Sequence, residues 1–529
     1  MLDFAERRAK PDLEVPADIE MALARPDWRQ RVLWPVSLAE ANRIVASQAA
    51  RAIDWAARLD DELVRDGALL ALPTILGYGR AIMLAALATK RAASAGMRFI
   101  GSAPELAYLA TGKGAPPARA GLILPPGRVR GSFARRVARI QSWSGFGGLP
   151  RALLRPDAVV VSHNALLRTA AARQRRSIGF RYAETMLAAA RVHRHARRAV
   201  DDYLGMLAET LLGDAVQDEP YRARALALLQ AVAKPHLDKA VGDMAGLRSI
   251  TLPDEIWSGS GGLYAPRALG LEVLRRGGKV VRFDHGTPRG FVRSGEFTAL
   301  LELAVSSEFV LSTEGAAEIC LDDPAARLPP GRQTARVRGA SGDPTFAAIP
   351  MSRKDREKRA RPRVVYAPTQ LLGFRQLLPA QAPDVVYLDW QLRVAEALRG
   401  LPISLICQPH PEGLLAHRSH PLEEVATTIR GNFDVQLREA DVFVFDYPST
   451  TALWQAACTD ARIVFLDMGA GTFSPRIAKL IAERAHIIKV EHDEQNRPIL
   501  DAASLRDAVL ASGGPVDPMP FRRLLAGDA

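Results

Sequence analysis

Residues 255–286 run from the apolar stretch Ile256-Trp257-Ser258 through a glycine-rich turn, Gly259-Ser260-Gly261-Gly262, into a helical pattern over 266–276. Gly277-Gly278 ends that helix, and Lys279-Val280-Val281-Arg282-Phe283 reads as the next strand. Strand, glycine turn, helix, strand is a βαβ unit, which commits a chain to parallel strands with helices on the faces of the sheet. A strand over 308–312 leading into a helix from Glu314 repeats the passage. The alternation resumes further on, with strands over 364–366, 403–407, 442–445 and 462–466 and helices over 391–399 and 451–458. The class expected is therefore α/β, built as two halves of different sequence. Between them, residues 351–363 (Met-Ser-Arg-Lys-Asp-Arg-Glu-Lys-Arg-Ala-Arg-Pro-Arg) contain almost nothing apolar and read as a charged linker. A chain of 529 residues, 48% of them hydrophobic, is too long for one ordinary domain. The division expected is 1–350, the linker 351–363, and 364–529.

The N-terminal half carries more helix than such a sheet needs. Residues 15–95 are helical in pattern, with apolar residues at three- and four-residue spacing over 38–58. The apolar stretch 67–88 is interrupted by Pro73, Gly77, Gly79 and Arg80, and reads as buried helices and a turn; a bilayer core would penalise that arginine by several kcal/mol. Compact runs over 97–100, 121–124 and 158–161 read as buried strands. A helical region without clear strands follows over about 165–250. Its first part is strongly basic: Arg168, Arg173, Arg175, Arg176, Arg191, Arg194, Arg197 and Arg198. That run reads either as a solvated helix face or as a face for anions or membrane.

The net charge of +12 asks for an acidic partner: nucleic acid, an anionic membrane face or a phosphorylated substrate. Only 6% of residues are aromatic, and no nucleic-acid module interleaves them with the basic ones, which argues against nucleic acid. Three cysteines, Cys320, Cys407 and Cys458, form neither a disulfide framework nor a metal cluster. Charges fall at once in the first eight residues with no apolar run behind them, so no secretory signal is expected and the chain reads as cytoplasmic.

Ligands of open parallel sheets bind beyond the carboxyl ends of the strands, so polar residues directly after a strand are the ones to inspect. After residue 283 comes Asp284-His285-Gly286-Thr287-Pro288: a carboxylate and an imidazole able to act as base, nucleophile or orienting pair, and a glycine that admits a ligand to the backbone, or else a turn whose Asp and His cap local amides. After 407 comes Gln408-Pro409-His410-Pro411-Glu412-Gly413, where two prolines restrict one histidine, as suits a phosphate or ribose contact or an ordinary turn. After 445 comes Asp446-Tyr447-Pro448-Ser449-Thr450-Thr451 at the start of a helix, a phosphate site, simple N-capping, or both. After 366 comes Ala367-Pro368-Thr369-Gln370, which alone says little. A P-loop, a strand-linked dinucleotide fingerprint, an HExxH, a nucleophile elbow and a cysteine metal cluster are all missing, so neither a resident cofactor nor a metal is expected.

In this order, His285-Gly286-Thr287-Pro288, Tyr366-Ala367-Pro368-Thr369, His410-Pro411 and Asp446-Tyr447-Pro448-Ser449-Thr450 resemble the successive signatures of the CDP-glycerol glycerophosphotransferases, the teichoic-acid polymerases. The His-Pro motif and the Ser/Thr pair are also similar to those of bacterial sialyltransferases and Kdo transferases. The resemblance covers roughly 280–470 and implies a GT-B fold, two Rossmann-like domains facing a cleft. It departs from the polymerases at Asp284, where those usually carry an aromatic residue, and in the first 250 residues, which would hold the acceptor.

What the resemblance implies is a glycosyltransferase of surface polysaccharide synthesis using a CMP-activated sugar such as Kdo or a related ulosonic acid. The alternative is polyol-phosphate transfer from a CDP-polyol. Asp284 and His285 would be catalytic, and His285 would be the base for phosphotransfer. Gly286, Thr369, His410, Pro411, Ser449, Thr450 and Thr451 would bind the cytidine-nucleotide donor. The acceptor would be lipid-linked or a glycan, with the basic run at an anionic inner-membrane surface. From another class, a non-catalytic nucleotide-binding scaffold also suits the fold.

Overall fold

The structure, a computed structural model, describes residues 13–118, 156–191, 200–259, 262–286, 288–323, 335–351, 360–431, 433–511 and 516–527. The 121–124 run, Thr287, most of the 351–363 segment, and Arg194, Arg197 and Arg198 lie outside the described residues.

A small parallel pair stands apart: β1 (Leu13–Pro16) beside β2 (Met97–Ile100). Residues 97–100 thus form a strand, but it pairs with the N-terminal segment and joins neither large sheet. The first large sheet comprises β3 (Ala158–Ser162), β4 (Ile178–Phe180), β5 (Glu255–Ser258), β6 (Lys279–Phe283), β7 (Glu308–Leu311) and β8 (Arg336–Gly339), all parallel, in the order β4-β3-β5-β6-β7-β8. The second comprises β9 (Arg363–Tyr366), β10 (Ser404–Cys407), β11 (Thr427–Thr428), β12 (Val442–Phe445), β13 (Arg462–Asp467) and β14 (His486–Lys489), again all parallel, in the order β11-β10-β9-β12-β13-β14. A short antiparallel hairpin, β15 (Glu491–His492) with β16 (Pro498–Ile499), follows. These are two Rossmann-like α/β bodies with added helices in the N-terminal half, the GT-B arrangement. In each sheet the chain leaves the central strand in one direction and returns to build the other, which puts topological switch points between β3 and β5 and between β9 and β12.

The helical excess behaves differently from its sequence pattern in one respect. The stretch 67–88 is not two helices and a turn but part of one helix, Glu62–Ser94, that runs straight through Pro73. Burial outweighs the lost backbone hydrogen bond: 78% of its most apolar window is inside the protein, although by length and composition alone it could cross a membrane. It packs on the helix Tyr221–Leu247, and Gly67 allows the approach, since a Cβ there would stand 2.5 Å from Val241 Cγ2. The region 165–250 also contains the edge strand β4, three residues too short to show a period.

The two bodies are laced together at both ends of the chain. Arg29 pairs with Asp389 at 3.1 Å and Glu396 at 2.7 Å, and Asn42 Oδ1 accepts the Ala380 amide at 2.8 Å. The final helix, Met519–Leu525, returns to the first body, where the Leu524 carbonyl accepts both Ser312 Oγ (2.9 Å) and Thr313 Oγ1 (2.8 Å). The apolar clusters are continuous across the halves, with Phe291 and Phe309 sharing one with Phe443, Trp454 and Phe521.

Candidate active site

The second switch point is organised by one carboxylate. Asp446, directly after β12 and 1% exposed, accepts Tyr366 Oη at 2.6 Å, Tyr387 Oη at 2.7 Å and Trp390 Nε1 at 3.1 Å. Burial pushes its carboxyl up to about 6, opposed by the three donors. Tyr387 Oη in turn accepts the Thr369 amide at 2.8 Å, so the loop after β9 and the loop after β12 are held to one another. Tyr447 Oη donates to the Pro379 carbonyl at 3.1 Å and fixes the outer side of the same loop.

This frame presents the hydroxyls of Ser449, Thr450 and Thr451 at the start of the helix Thr451–Ala457. Thr450 is the N-cap residue, yet its side chain makes no capping hydrogen bond. Simple N-capping by Thr450 is therefore not what occupies its hydroxyl. Across the gap, His410 Nδ1 accepts the Glu412 amide at 3.1 Å. An amide only donates, so the neutral ring carries its proton on Nε2. Desolvation lowers the His410 pKa, leaving a neutral donor at physiological pH.

The first body contributes the loop after β6. The Asp284 amide extends the ladder to the Val310 carbonyl at 2.9 Å, and Asn164 Nδ2 donates to the carbonyls of Gly259 (2.9 Å) and Asp284 (2.8 Å), tying together the ends of β3, β5 and β6 at the first switch point. The Asp284 side chain is 8% exposed, and its two oxygens accept the amides of His285 (3.0 Å) and Arg289 (3.2 Å). Burial pushes this carboxyl up to about 7, against the pull of Arg289. His285 is exposed; the protein around it nonetheless displaces enough water to hold its imidazole below the ordinary value, against Glu302. Beneath the loop, Arg282 pairs with buried Glu302 at 2.9 Å, and Glu302 with Arg289 at 3.4 Å. Burial would raise Glu302, but the two guanidiniums outweigh it and keep the carboxyl low.

A cavity of about 210 Å³ between the bodies is lined by Arg289, Ser294 and Phe297 from the first and Thr369, His410, Glu412, Ser449, Thr450 and Thr451 from the second. Five of the residues singled out in the sequence therefore share one wall. Gly286 touches that wall at its edge: its φ is +72°, and a Cβ would come within 2.9 Å of Thr451 Oγ1. Asp284, His285 and Pro411 do not line the cavity. Residues missed in the sequence are Arg289, whose Nε is buried with no partner among the described residues, and Ser294, Glu412 and Asn164. Asn164, polar and two residues beyond β3, and Glu412, within the Gln408–Gly413 turn after β10, carried a strand-end signal; Arg289 and Ser294 did not.

A larger cavity of about 520 Å³ lies on the other side of the 371–376 loop, mostly apolar, with Trp34, Leu84, Phe374 and Leu414 among its walls. It contains none of the predicted site residues. Among the described residues, no group of three or more His, Cys, Asp or Glu could hold a metal ion.

No family model matches the chain, and no curated protein does. Among solved structures it is similar to MurG from Acinetobacter baumannii, at 14% identity and a TM-score of 0.26, over 45% of this chain and 60% of that one, less than two thirds of its length. The fold assignment rests on the sheet topology.

Proposed function

We propose that the chain is a glycosyltransferase of cell-surface polysaccharide synthesis that uses a cytidine-nucleotide donor, a CMP-activated sugar such as Kdo or a related ulosonic acid. One observation carries this reading: at the switch point of the second sheet, the hydroxyls of Ser449, Thr450 and Thr451 and the Nε2–H of His410 converge with Arg289 of the opposite body on one cleft. Convergent donors with a guanidinium are what a phosphate leaving group needs as its charge develops. An acceptor hydroxyl would attack the anomeric carbon, its proton passing to a base of the first body, while the bond to the CMP phosphate breaks and these donors take up the negative charge. Asp284, held near 7, is matched in pKa to accept that proton at neutral pH.

A second reading, transfer of a polyol phosphate from a CDP-polyol, is favoured by the two amides that occupy Asp284 and by the neutral, exposed ring of His285, the base it would require. The cytidine preference itself derives from the resemblance of the His-Pro and Ser-Thr motifs.

Thermal melts with CMP, CDP, UMP, UDP and GDP test both readings together. Cytidine nucleotides are expected to stabilise the protein, by about 2.7 kcal/mol at a hundredfold excess over Kd. His410→Ala, which removes one hydrogen bond to a charged group, is expected to weaken that binding about tenfold. If no nucleotide shifts the melt, both transferase readings fall, and the nucleotide-binding scaffold falls with them; a shift without turnover would leave the scaffold.

The acceptor is proposed to be lipid-linked or a glycan, met at the cytoplasmic face of the inner membrane. Arg168, Arg173 and Arg175 are exposed and available to anionic headgroups, whereas Arg176 is committed to Glu255 at 2.8 Å. Co-sedimentation with anionic vesicles is expected at low salt and loss of it at high salt; failure to bind at low salt removes the membrane from the proposal.

A further inference from the structure

Among the described residues, four arginines are almost wholly buried: Arg80, Arg267, Arg282 and Arg484. Three have evident work. Arg267 donates to the carbonyls of Leu69, Leu70 and Leu300, Arg484 to those of Ala456, Ala457, Thr459 and Ala461, and Arg282 pairs with Glu302. Arg80 differs. It is 3% exposed, its Nε is buried without a partner, and among the described residues its guanidinium makes no hydrogen bond, ion pair or ring contact.

Its position explains what such a group could meet. One turn before it on the Glu62–Ser94 helix, the Gly77 carbonyl accepts the Gln376 amide at 2.8 Å, which seats this part of the helix on the 373–382 loop. Pro379 of that loop accepts Tyr447 Oη, and Leu377, Leu378 and Tyr447 belong to the wall of the cleft that Ser449 and Thr450 line. The ionisable groups that act on Arg80 are Glu296 and Tyr447. Glu296 lies at neither hydrogen-bonding nor ion-pair distance from it, and burial pushes that carboxyl up, toward its neutral form, more than Arg80 pulls it down. Burial lowers Arg80 itself only to about 10, so it stays cationic at neutral pH.

A desolvated cation without a counter-ion costs a folded protein several kcal/mol. Each of the other three buried arginines leaves one nitrogen without a hydrogen bond but has carbonyl or carboxylate partners elsewhere on its guanidinium, which Arg80 lacks among the described residues. We propose that Arg80 forms, behind Tyr447, an oxyanion subsite of the cleft, whose missing partner is a phosphate or carboxylate oxygen of the bound substrate. The subsite rests on the reading of the cleft as a substrate site and adds a charged contact from the N-terminal helices, which none of the strand-end motifs includes. Phosphate would come from the donor nucleotide, carboxylate from a sugar acid.

Arg80→Met and Arg80→Lys separate this from a structural role. Thermal melts of the full chain would be run without ligand and with inorganic pyrophosphate, CMP and free N-acetylneuraminate as probes. An unpaired charge replaced by an apolar chain of similar reach should leave the unliganded melt at or above that of the unmodified protein. Binding of at least one probe should weaken tenfold or more in Arg80→Met and recover in part in Arg80→Lys. Loss for CMP and pyrophosphate assigns the subsite to phosphate, and loss for N-acetylneuraminate alone assigns it to carboxylate. Equal binding of all probes by both variants overturns the subsite, as does failure of the unmodified protein to bind any of the three. Binding of pyrophosphate or the sugar acid without CMP would retain the subsite and sink the cytidine reading.

Discussion

Asp446→Ala is expected to destabilise the folded chain by roughly 4 kcal/mol and to abolish stabilisation by nucleotide. The size follows from the number of groups left behind. Tyr366 Oη, Tyr387 Oη and Trp390 Nε1 all donate to this one carboxylate, and all three side chains are fully buried. Each orphaned donor costs about 1–3 kcal/mol because no water reaches it. Loss of function should exceed loss of stability, because the same carboxylate holds Tyr387, Tyr387 holds the Thr369 amide, and the backbone after Asp446 carries Ser449 and Thr450. Urea titration should show a lower midpoint with an unchanged slope. A midpoint within 1 kcal/mol of the unmodified protein would mean that the three donors find other acceptors, and the network would lose its assigned role. Asp446→Asn, which keeps one acceptor oxygen, should fall between the two.

How far the architecture could be read beforehand depended on what each segment buries. Strands β5, β6, β9, β12 and β13 are short apolar runs between turn residues and are legible as such. Strand β8, Arg-Val-Arg-Gly, and strand β4, only three residues, carry too little apolar content to stand out, and their place comes from pairing with β7 and β3. The helix 384–399 begins seven residues before its amphipathic part because its first turns, Val385 to Trp390, are buried on every side and so show no period. Pro73 reads as a break and is overruled by helix-on-helix packing. At the cleft, inspecting strand ends picks Thr369, His410 and Ser449 to Thr451, because in a parallel sheet those ends share one edge. The same rule cannot see Arg289, which arrives from the far end of a loop. It also names Asp284 without revealing that both its oxygens are engaged by its own loop.

That engagement makes Asp284→Asn the most discriminating substitution. The variant keeps one oxygen for either the His285 or the Arg289 amide, and its NH₂ then faces an N–H, so a loss of about 1–3 kcal/mol is expected from the loop alone. The pH dependence identifies the carboxyl. Its folded value near 7 lies above the ordinary 3.8, so its contribution to stability is fully present below about pH 4 and is lost as pH rises through 7. The unmodified protein should therefore lose stability between about pH 4 and 7, along a slope that is shallower in Asp284→Asn, where only Asp384 and Asp446 remain pushed up to about 6; parallel profiles would show that the Asp284 carboxyl is not held high. Catalysis separates the two transferase readings on the same variant. If Asp284 takes the acceptor's proton, turnover with a CMP-sugar should fall about 10³-fold or more, equivalent to about 4 kcal/mol, while CMP binding stays within threefold, because Asp284 does not line the wall that carries His410 and Ser449. If turnover is retained and His285→Ala is the variant that loses it, the base is His285, Asp284 braces the loop that presents it, and the polyol-phosphate reading takes the place of the sugar transferase.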